Sequence, residues 1–126
     1  MLIVTTNDIP GYQIDAVLGE VMGMTVRSAN IGANLVAGLK ALAGGEVDQY
    51  TKLVYDSRNQ VMQRMWDTCV QRGGNAIVGM RFDSDSIAQT FSEVCAYGTA
   101  VLVRPITDPA AGATAQSLAE AAGRTA

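Results

Sequence analysis

The stretch RGGNAIVGMRFD, residues 72–83, joins the end of a predicted helix to the start of a predicted strand. A phosphate-binding loop needs glycine after a strand and before a helix, where free backbone N–H groups converge. Here the order is helix, glycine pair, strand. Gly73 and Gly74 are therefore expected to end the helix, because glycine adopts the left-handed conformation without steric cost. The junction favours a structural turn over the alternative of a phosphate cradle.

The residues before this junction predict a long helix over about 47–72. Val54, Val61, Met65 and Cys69 recur at helical spacing and form one apolar line. At 1.5 Å per residue such a helix is about 39 Å long. That length is large for so small a domain, so one end of the helix is expected to reach a neighbouring subunit.

The remaining pattern predicts one more helix and four strands. The segment 29–45 has leucines at helical spacing and ends in a glycine pair. Alternating or β-branched runs indicate strands at 2–6, 17–29, 75–83 and 91–103. Gly19 and Gly23 interrupt the second run, which is typical of a bulge or of close backbone approach. The predicted element order is β-β-α-α-β-β.

The chain is expected to form one domain over residues 1–106, followed by a C-terminal tail at 107–126. The tail is rich in alanine and glycine, and Leu118 is its one candidate for burial. This composition predicts a mobile tail or a marginal helix. The tail is also the segment through which we expect a protein partner to bind, if there is one.

Composition excludes several classes of protein. The 126 residues carry a net charge of −3 and no Lys/Arg run, so nucleic acid is not an expected partner. No apolar stretch approaches the roughly 20 residues that span a bilayer, and no secretory signal is visible, so a cytoplasmic location is expected. There is no histidine, which excludes Ser–His and Cys–His catalysis. No enzymatic activity is expected.

Charged and hydroxyl side chains fall within the predicted strands and are the candidates for binding a small ligand. The set is Arg27, Arg81, Asp83, Glu93, Tyr97 and Thr99. If these side chains converge, they form a polar pocket or the lining of an oligomer's lumen. The alternative is a set of salt bridges across strands or between subunits, which opposite charges on neighbouring strands commonly form.

Two pairs of residues are candidates for holding a divalent or heavy metal ion. Asp83 and Asp85 form a D-x-D pattern that suits a hard cation, although a turn with local hydrogen bonds also explains it. Cys69 and Cys95 supply soft donors, but two thiolates are too few for a closed zinc site unless symmetry multiplies them. The alternative for both cysteines is a reduced thiol buried in the core.

Three segments together resemble the bacterial YbjQ-like family, which carries a heavy-metal-binding label. They are VRSANIGANLVAGLKALAGGEVDQYTKLVYDSR (residues 26–58), GGNAIVGMRFD (73–83) and AYGTAV (96–101), and the resemblance extends over about 2–103. It implies an α+β fold, a mainly antiparallel sheet with two helices on one face, assembled as a homopentamer. It implies no established enzymatic activity.

These observations lead to one function hypothesis and two alternatives. The first is a ring-forming homo-oligomer that binds a metal ion or a small ligand at a subunit interface or on its central face. The second is a non-catalytic scaffold that organises a protein partner. The third is an enzyme that uses Glu93 or Asp83 as acid or base. Tyr50 and Tyr55 are expected either at the subunit interface or half-buried within one subunit.

Overall fold

A computed structural model describes residues 1–28, 44, 48–88 and 91–125 of the chain. The predicted helix at 29–45 and the side chain of Tyr50 lie outside the described residues. The described elements are β1 (Tyr12–Ser28), α1 (Asp48–Gln71), β2 (Ala76–Ala88), β3 (Phe91–Pro105), a 3-10 turn (Pro109–Ala111) and α2 (Ala115–Thr125). The fold is α+β, as predicted, with an antiparallel sheet and two helices.

The sheet has three strands in the spatial order β1–β3–β2, so the predicted sheet of about four strands is wrong. The expected first strand at 2–6 makes only an isolated parallel bridge, between Ile3 and Ile77. In this bridge Val4 N donates to the Ile77 carbonyl, and Ile77 N donates to the Leu2 carbonyl, both at 2.9 Å. The segment therefore covers part of the β2 edge, which would otherwise present unpaired backbone groups.

The element order also differs from β-β-α-α-β-β. Among the described residues it is strand, helix, strand, strand, helix. β1 begins at Tyr12, five residues before the predicted start, and β2 extends to Ala88 through the segment expected to be a polar connection. The hydroxyl and carboxylate side chains of that segment point to a loop by composition, but strand pairing in the hairpin overrides this local preference.

Gly19 changes the side-chain alternation along β1. Before it the more buried residues are even-numbered, from Tyr12 onward, and after it they are odd-numbered, at Val21 and Thr25. Gly19 has a φ of +102°, a conformation that side chains other than glycine rarely adopt. A one-residue change of phase at a left-handed glycine is the effect of a bulge, as the sequence predicted.

The end of α1 confirms the predicted role of the glycine pair. Gly73 has a φ of +84°. Gly74 N donates to the Cys69 carbonyl at 2.9 Å, and Gly73 N donates to the Val70 carbonyl at 2.9 Å. These two bonds form a Schellman motif, which satisfies the last carbonyl groups of the helix. Gly73 and Gly74 therefore act in the turn, and β2 begins two residues later.

Asn75 joins this turn to the sheet through its side chain. Its Nδ2 donates to the Val103 carbonyl, and its Oδ1 accepts from Val103 N, both at 2.8 Å. Its backbone N donates to the Val101 carbonyl at 3.1 Å. The carboxamide thus supplies the donor and the acceptor that one more residue of a paired strand would supply.

The described chain divides into two compact units. The first comprises Met1–Val21, Trp66–Arg81 and Tyr97–Ala126, and the second comprises Met22–Met65 and Phe82–Ala96. The first unit has a buried apolar core, against which Leu2, Val4 and Ile14 pack; its members are Ile9, Tyr12, Ala76, Val78, Val101 and Val103.

In the second unit, α1 lies directly on β1. A Cβ atom at Gly23 would lie 2.0 Å from the Val61 carbonyl oxygen and 2.6 Å from Met65 N. Arg64 Nη1 also donates to the Met24 carbonyl at 2.6 Å. The predicted apolar line of α1 is confirmed at Val61, Met65 and Cys69, each fully buried, whereas Val54 is half exposed.

The tail after residue 106 carries the helix α2, one of the two alternatives that its composition allowed. Leu118, the tail's one candidate for burial, is 37% exposed, whereas Ser117 is fully buried. Thr114 and Ser117 bond reciprocally, each side-chain oxygen accepting from the other's backbone N–H, at 3.1 and 2.9 Å. Ser117 also donates to the Ile106 carbonyl at 3.1 Å. Hydrogen bonds rather than apolar burial therefore fix this helix.

Candidate functional site

A cavity of about 200 Å³ lies within the second unit and is the candidate binding site. We name it the Arg27 cavity. Its lining residues come from β1, α1, β2 and β3: Arg27, Leu53, Val54, Ser57, Arg58, Phe82, Asp83, Ser84, Ser92 and Val94. The lining thus combines two guanidinium groups, one carboxylate, three hydroxyls and an apolar wall.

Arg27 is the least satisfied polar group of this cavity. Its Nη2 donates to Gln60 Oε1 at 2.6 Å, but its Nε–H is buried and has no hydrogen-bond partner among the described residues. Gln60 is neutral, and no described carboxylate forms an ion pair with Arg27. A buried donor left without a partner costs about 1–3 kcal/mol, and more for a charged group. Arg27 is therefore suited to donate a hydrogen bond to a ligand oxygen.

Arg58 brings a second cation to the cavity. Its guanidinium carbon lies 4.9 Å from the centre of the Phe82 ring, a cation–π distance that holds the group against an apolar surface. No ion pair joins Asp83 to Arg27 or Arg58 in the part of the chain that the structure describes. Asp83 Oδ1 instead accepts from Ser84 N at 2.9 Å. The cavity therefore carries one net positive charge.

The structure brings together two of the six predicted ligand-binding residues, Arg27 and Asp83. Arg81 does not line the cavity, and its Nη1 donates to the carbonyls of Thr5 and Met80, at 2.9 and 2.7 Å. Glu93, Tyr97 and Thr99 are also outside the lining, with Glu93 and Thr99 half-buried and Tyr97 exposed. Of the six residues predicted to bind a ligand, only Arg27 and Asp83 therefore line this cavity.

The predicted metal ligands do not form a centre within the described residues. No group of three or more His, Cys, Asp or Glu side chains there is placed to hold a metal ion. Asp83 and Asp85 each accept from the backbone N–H of the next residue, so the local hydrogen bonds of the alternative are present, but both residues lie within strand β2 and not in a turn. Both cysteines are buried and reduced. Metal binding by these residues stays a prediction, and the donor set of one chain does not fit it.

Cys69 in particular is poorly prepared to ligate a metal. Its Sγ donates to the Ala76 carbonyl at 3.4 Å, and burial raises the pKa of the thiol above its ordinary value. Metal ions bind the thiolate rather than the thiol. At neutral pH this side chain is therefore a protonated core residue.

Sequence reasoning missed Ser57, Arg58 and Phe82 as cavity residues. A signal was present for Ser57, which continues the four-residue spacing of Val61, Met65 and Cys69 towards the helix start. Ser57 is 3% exposed. A serine in an apolar line marks a point where the buried face of a helix meets a polar group. No comparable signal identified Arg58, whose place depends on tertiary contact with Phe82.

A second cavity, of about 300 Å³, lies within the first unit. Its lining includes Trp66 and Asn75 together with Gln116 and Glu120 from helix α2. Asn75 is already bonded to Val103, and Glu120 takes part in a further interaction, so neither polar group is available as an unsatisfied anchor. This cavity therefore lacks the feature that distinguishes the Arg27 cavity.

Comparison with known proteins places the fold and the family. A crystal structure of a protein of unknown function from Pediococcus pentosaceus, in the DUF74 family, superposes with a TM-score of 0.59 at 18% identity. It covers 82% of this chain and 97% of that chain. This likeness supports the α+β fold.

Proteins with higher sequence identity to this chain are UPF0145 proteins. The one from Acidothermus cellulolyticus is 55% identical, over 82% of this chain and 95% of the relative. The one from Thermoplasma acidophilum is 50% identical, over 86% of this chain and 91% of the relative. The YbjQ-like family model, described as "Putative heavy-metal-binding", matches residues 1–104. The matched residues end before helix α2. Because the family model covers most of the chain, this chain belongs to the YbjQ-like family.

Proposed function

We propose that this protein is a non-catalytic homo-oligomer that binds a small ligand in the Arg27 cavity. The observation that carries the proposal is that Arg27, which lines the cavity, has a buried Nε–H without a partner in the described part of the chain. A bound ligand that accepts this hydrogen bond removes the cost of the unsatisfied donor. The absence of histidine from the chain supports binding rather than acid–base catalysis.

Exposed apolar side chains support assembly of several copies. Six large ones of the second unit lie outside the lining of the Arg27 cavity: Met22, Met24, Val26, Tyr55, Ile87 and Phe91. Apolar and aromatic side chains of this kind are enriched at the centre of subunit interfaces. We propose a ring, and a pentamer follows from the family resemblance. Within the described residues no helix is long and apolar enough to cross a membrane.

Native mass spectrometry tests the assembly, and a binding screen tests the cavity. The first is expected to give five times the protomer mass, and a monomer would contradict the oligomer. The binding screen uses the NMR resonance of the Arg27 Nε–H, which is identified by its loss in Arg27→Lys. This resonance is recorded while a mixed library of small acids, amines, alcohols and sugars is added. At least one class is expected to shift this resonance. If no class shifts it, the Arg27 cavity is not a binding site.

A further inference from the structure

We infer that the Arg27 cavity recognises a small carboxylate that carries a short apolar chain. This inference rests on the proposed binding function and names the chemical class of its ligand. The net charge of the lining favours an anionic ligand. The hydrogen-bond donors of Arg27 bind its carboxylate, and the apolar wall of the cavity contacts the alkyl chain that carries the carboxylate. Each part is carried by different residues of the lining.

The charge of the lining excludes cations first. Two guanidinium groups face one carboxylate in the cavity, and Asp83 is already hydrogen-bonded to the Ser84 backbone N–H. An ammonium group would meet uncompensated positive charge, whereas an anion would reduce it. Unlike charges attract and like charges repel more strongly near a protein surface than in bulk water, because the effective dielectric constant is lower there. The sign of the ligand therefore follows from the composition of the lining.

Arg27 defines where the negative charge sits. One N–H of its Nη2 donates to Gln60, and its Nε–H has no partner among the described residues, so Nε–H is a donor with a fixed neighbour in the planar guanidinium fork. Charge-assisted hydrogen bonds from arginine to carboxylate are about twice as strong as neutral ones. One carboxylate oxygen on Nε–H satisfies this donor, and the hydroxyl of Ser57, which also lines the cavity, is a neutral donor in the same lining.

The apolar wall defines the rest of the ligand. Leu53, Val54 and Val94 line the cavity beside Phe82 and offer no hydrogen-bonding side-chain atoms. A free phosphate or sulfate would leave this wall in contact with water. A short alkyl chain covers this wall, and removing its apolar surface from water favours binding. The lining thus favours an amphipathic carboxylate over an inorganic anion.

The volume limits the size of the ligand. The cavity holds about 200 Å³, below the 300–1,000 Å³ typical of pockets for drug-sized molecules. At about 30 Å³ per water molecule this is space for roughly seven waters. A ligand of about six non-hydrogen atoms, such as butyrate, fits this limit.

The experiment is a titration of the oligomer with three probes of matched length: butyrate, butylamine and 1-butanol. Binding is measured by calorimetry and by the shift of the Arg27 Nε–H resonance. Butyrate is expected to bind at least tenfold more tightly than butylamine or 1-butanol, and more tightly than inorganic phosphate. Arg27→Lys retains the charge but lacks the Nε–H donor, so it should weaken butyrate binding about tenfold. Arg27→Gln should abolish it. Arg104→Gln is the matched control, because Arg104 pairs with Asp15 outside the cavity at 3.0 Å.

The outcomes separate this inference from the function on which it rests. Binding of butylamine or butanol in preference to butyrate, with a shift of the Arg27 resonance, overturns the carboxylate assignment and leaves ligand binding intact. Tighter binding of phosphate than of butyrate overturns the role of the apolar wall. If no probe of the mixed library binds, both proposals fail. Should Arg27→Gln not fold, Arg27→Lys together with the resonance of the native protein still decides the question.

Discussion

Replacement of Asn75 tests whether its carboxamide connects the end of α1 to the sheet. The side chain makes two hydrogen bonds of 2.8 Å with the backbone of Val103, which is 3% exposed. Asn75→Ala leaves a buried N–H and a buried C=O of Val103 without partners. At about 1–3 kcal/mol for each unsatisfied group, and with some access for water from the adjoining 300 Å³ cavity, the expected loss is about 2–4 kcal/mol.

Asn75→Asp gives a sharper test, because its effect should depend on pH. The carboxylate still accepts from Val103 N–H, but its second oxygen faces the Val103 carbonyl and repels it. This repulsion raises the pKa of the introduced carboxyl in the folded state. The stabilising protonated form is therefore fully present below the unfolded pKa of about 3.9 and is lost as the pH rises through the higher folded pKa. The deficit relative to the native protein should be small near pH 4 and large at pH 7.

Thermal and urea unfolding at fixed protomer concentration measure both effects, since oligomer stability depends on concentration. An unfolding entropy of about 2.1 cal/mol/K per residue over 126 residues converts 2–4 kcal/mol into a Tm decrease of roughly 8–15 °C. Asn59→Asp on the exposed face of α1 is the control and should change Tm little. A deficit of Asn75→Asp that is equal at pH 4 and pH 7 would refute the assigned hydrogen bonds.

Three further predictions follow from single contacts. Gly23→Ala should lower stability by more than about 3 kcal/mol in urea unfolding, because the added methyl would lie 2.0 Å from a carbonyl oxygen of α1. The free energy of unfolding should fall as the pH rises above about 9, because burial raises the pKa of Cys69 in the folded state and the thiol of the unfolded chain therefore ionises first. Cys69→Ala should remove this part of the pH dependence in urea unfolding. Ser117→Ala should lower the hydrogen-exchange protection of residues 115–125 about tenfold, because the bond to the Ile106 carbonyl is lost.

Each of these has a matched control. Gly123→Ala places its methyl in open space within α2 and should stabilise the helix by up to about 1 kcal/mol, so equal effects at both glycines would contradict the close contact at Gly23. Val70→Ala, next to Cys69 but exposed and not titratable, should leave the alkaline slope in place, and loss of the slope in this variant would argue against Cys69 as its source. Gln116→Ala, on the exposed side of α2, should leave exchange protection unchanged. Equal loss in both α2 variants would argue against the Ser117 anchor.

Local sequence rules predicted the parts of the fold that depend on local chemistry. The glycine pair after residue 72 ends α1 in the predicted way, because a left-handed residue is needed there whatever the surroundings. The helix itself was placed within a residue or so at each end, since Val61, Met65 and Cys69 keep its period. The bulge near Gly19 was signalled by glycine within a strand.

Non-local pairing was harder to predict. Residues 2–6 have strand composition, yet they bond in parallel to β2 over too few residues to form a strand. Their register is set by tertiary position rather than by the segment itself. The tail was misjudged for a related reason: Ser117 is buried through hydrogen bonds, and a search for apolar anchors selects Leu118 instead. Polar anchoring has no periodic signature in sequence.

The candidate site shows the same division. Arg27 and Asp83 were selected as charges within strands, and the structure places them in one lining. Arg81 met the same criterion but is bonded to backbone carbonyls, so composition alone did not separate a binding residue from a structural one. The difference lies in unsatisfied bonding capacity, which only the surrounding residues determine.

Arg27 carries a free-energy cost in the fold that bears on the proposed binding function. A guanidinium group beside a neutral amide, with a buried N–H unpaired, destabilises the fold relative to an apolar side chain of similar volume. Functional sites commonly give up stability in this way. Under the proposed function, a ligand oxygen that accepts this N–H removes the cost, and the free energy gained contributes to the affinity. If the Arg27 cavity binds a ligand as we propose, Arg27 both lowers the stability of the fold and helps to select the ligand.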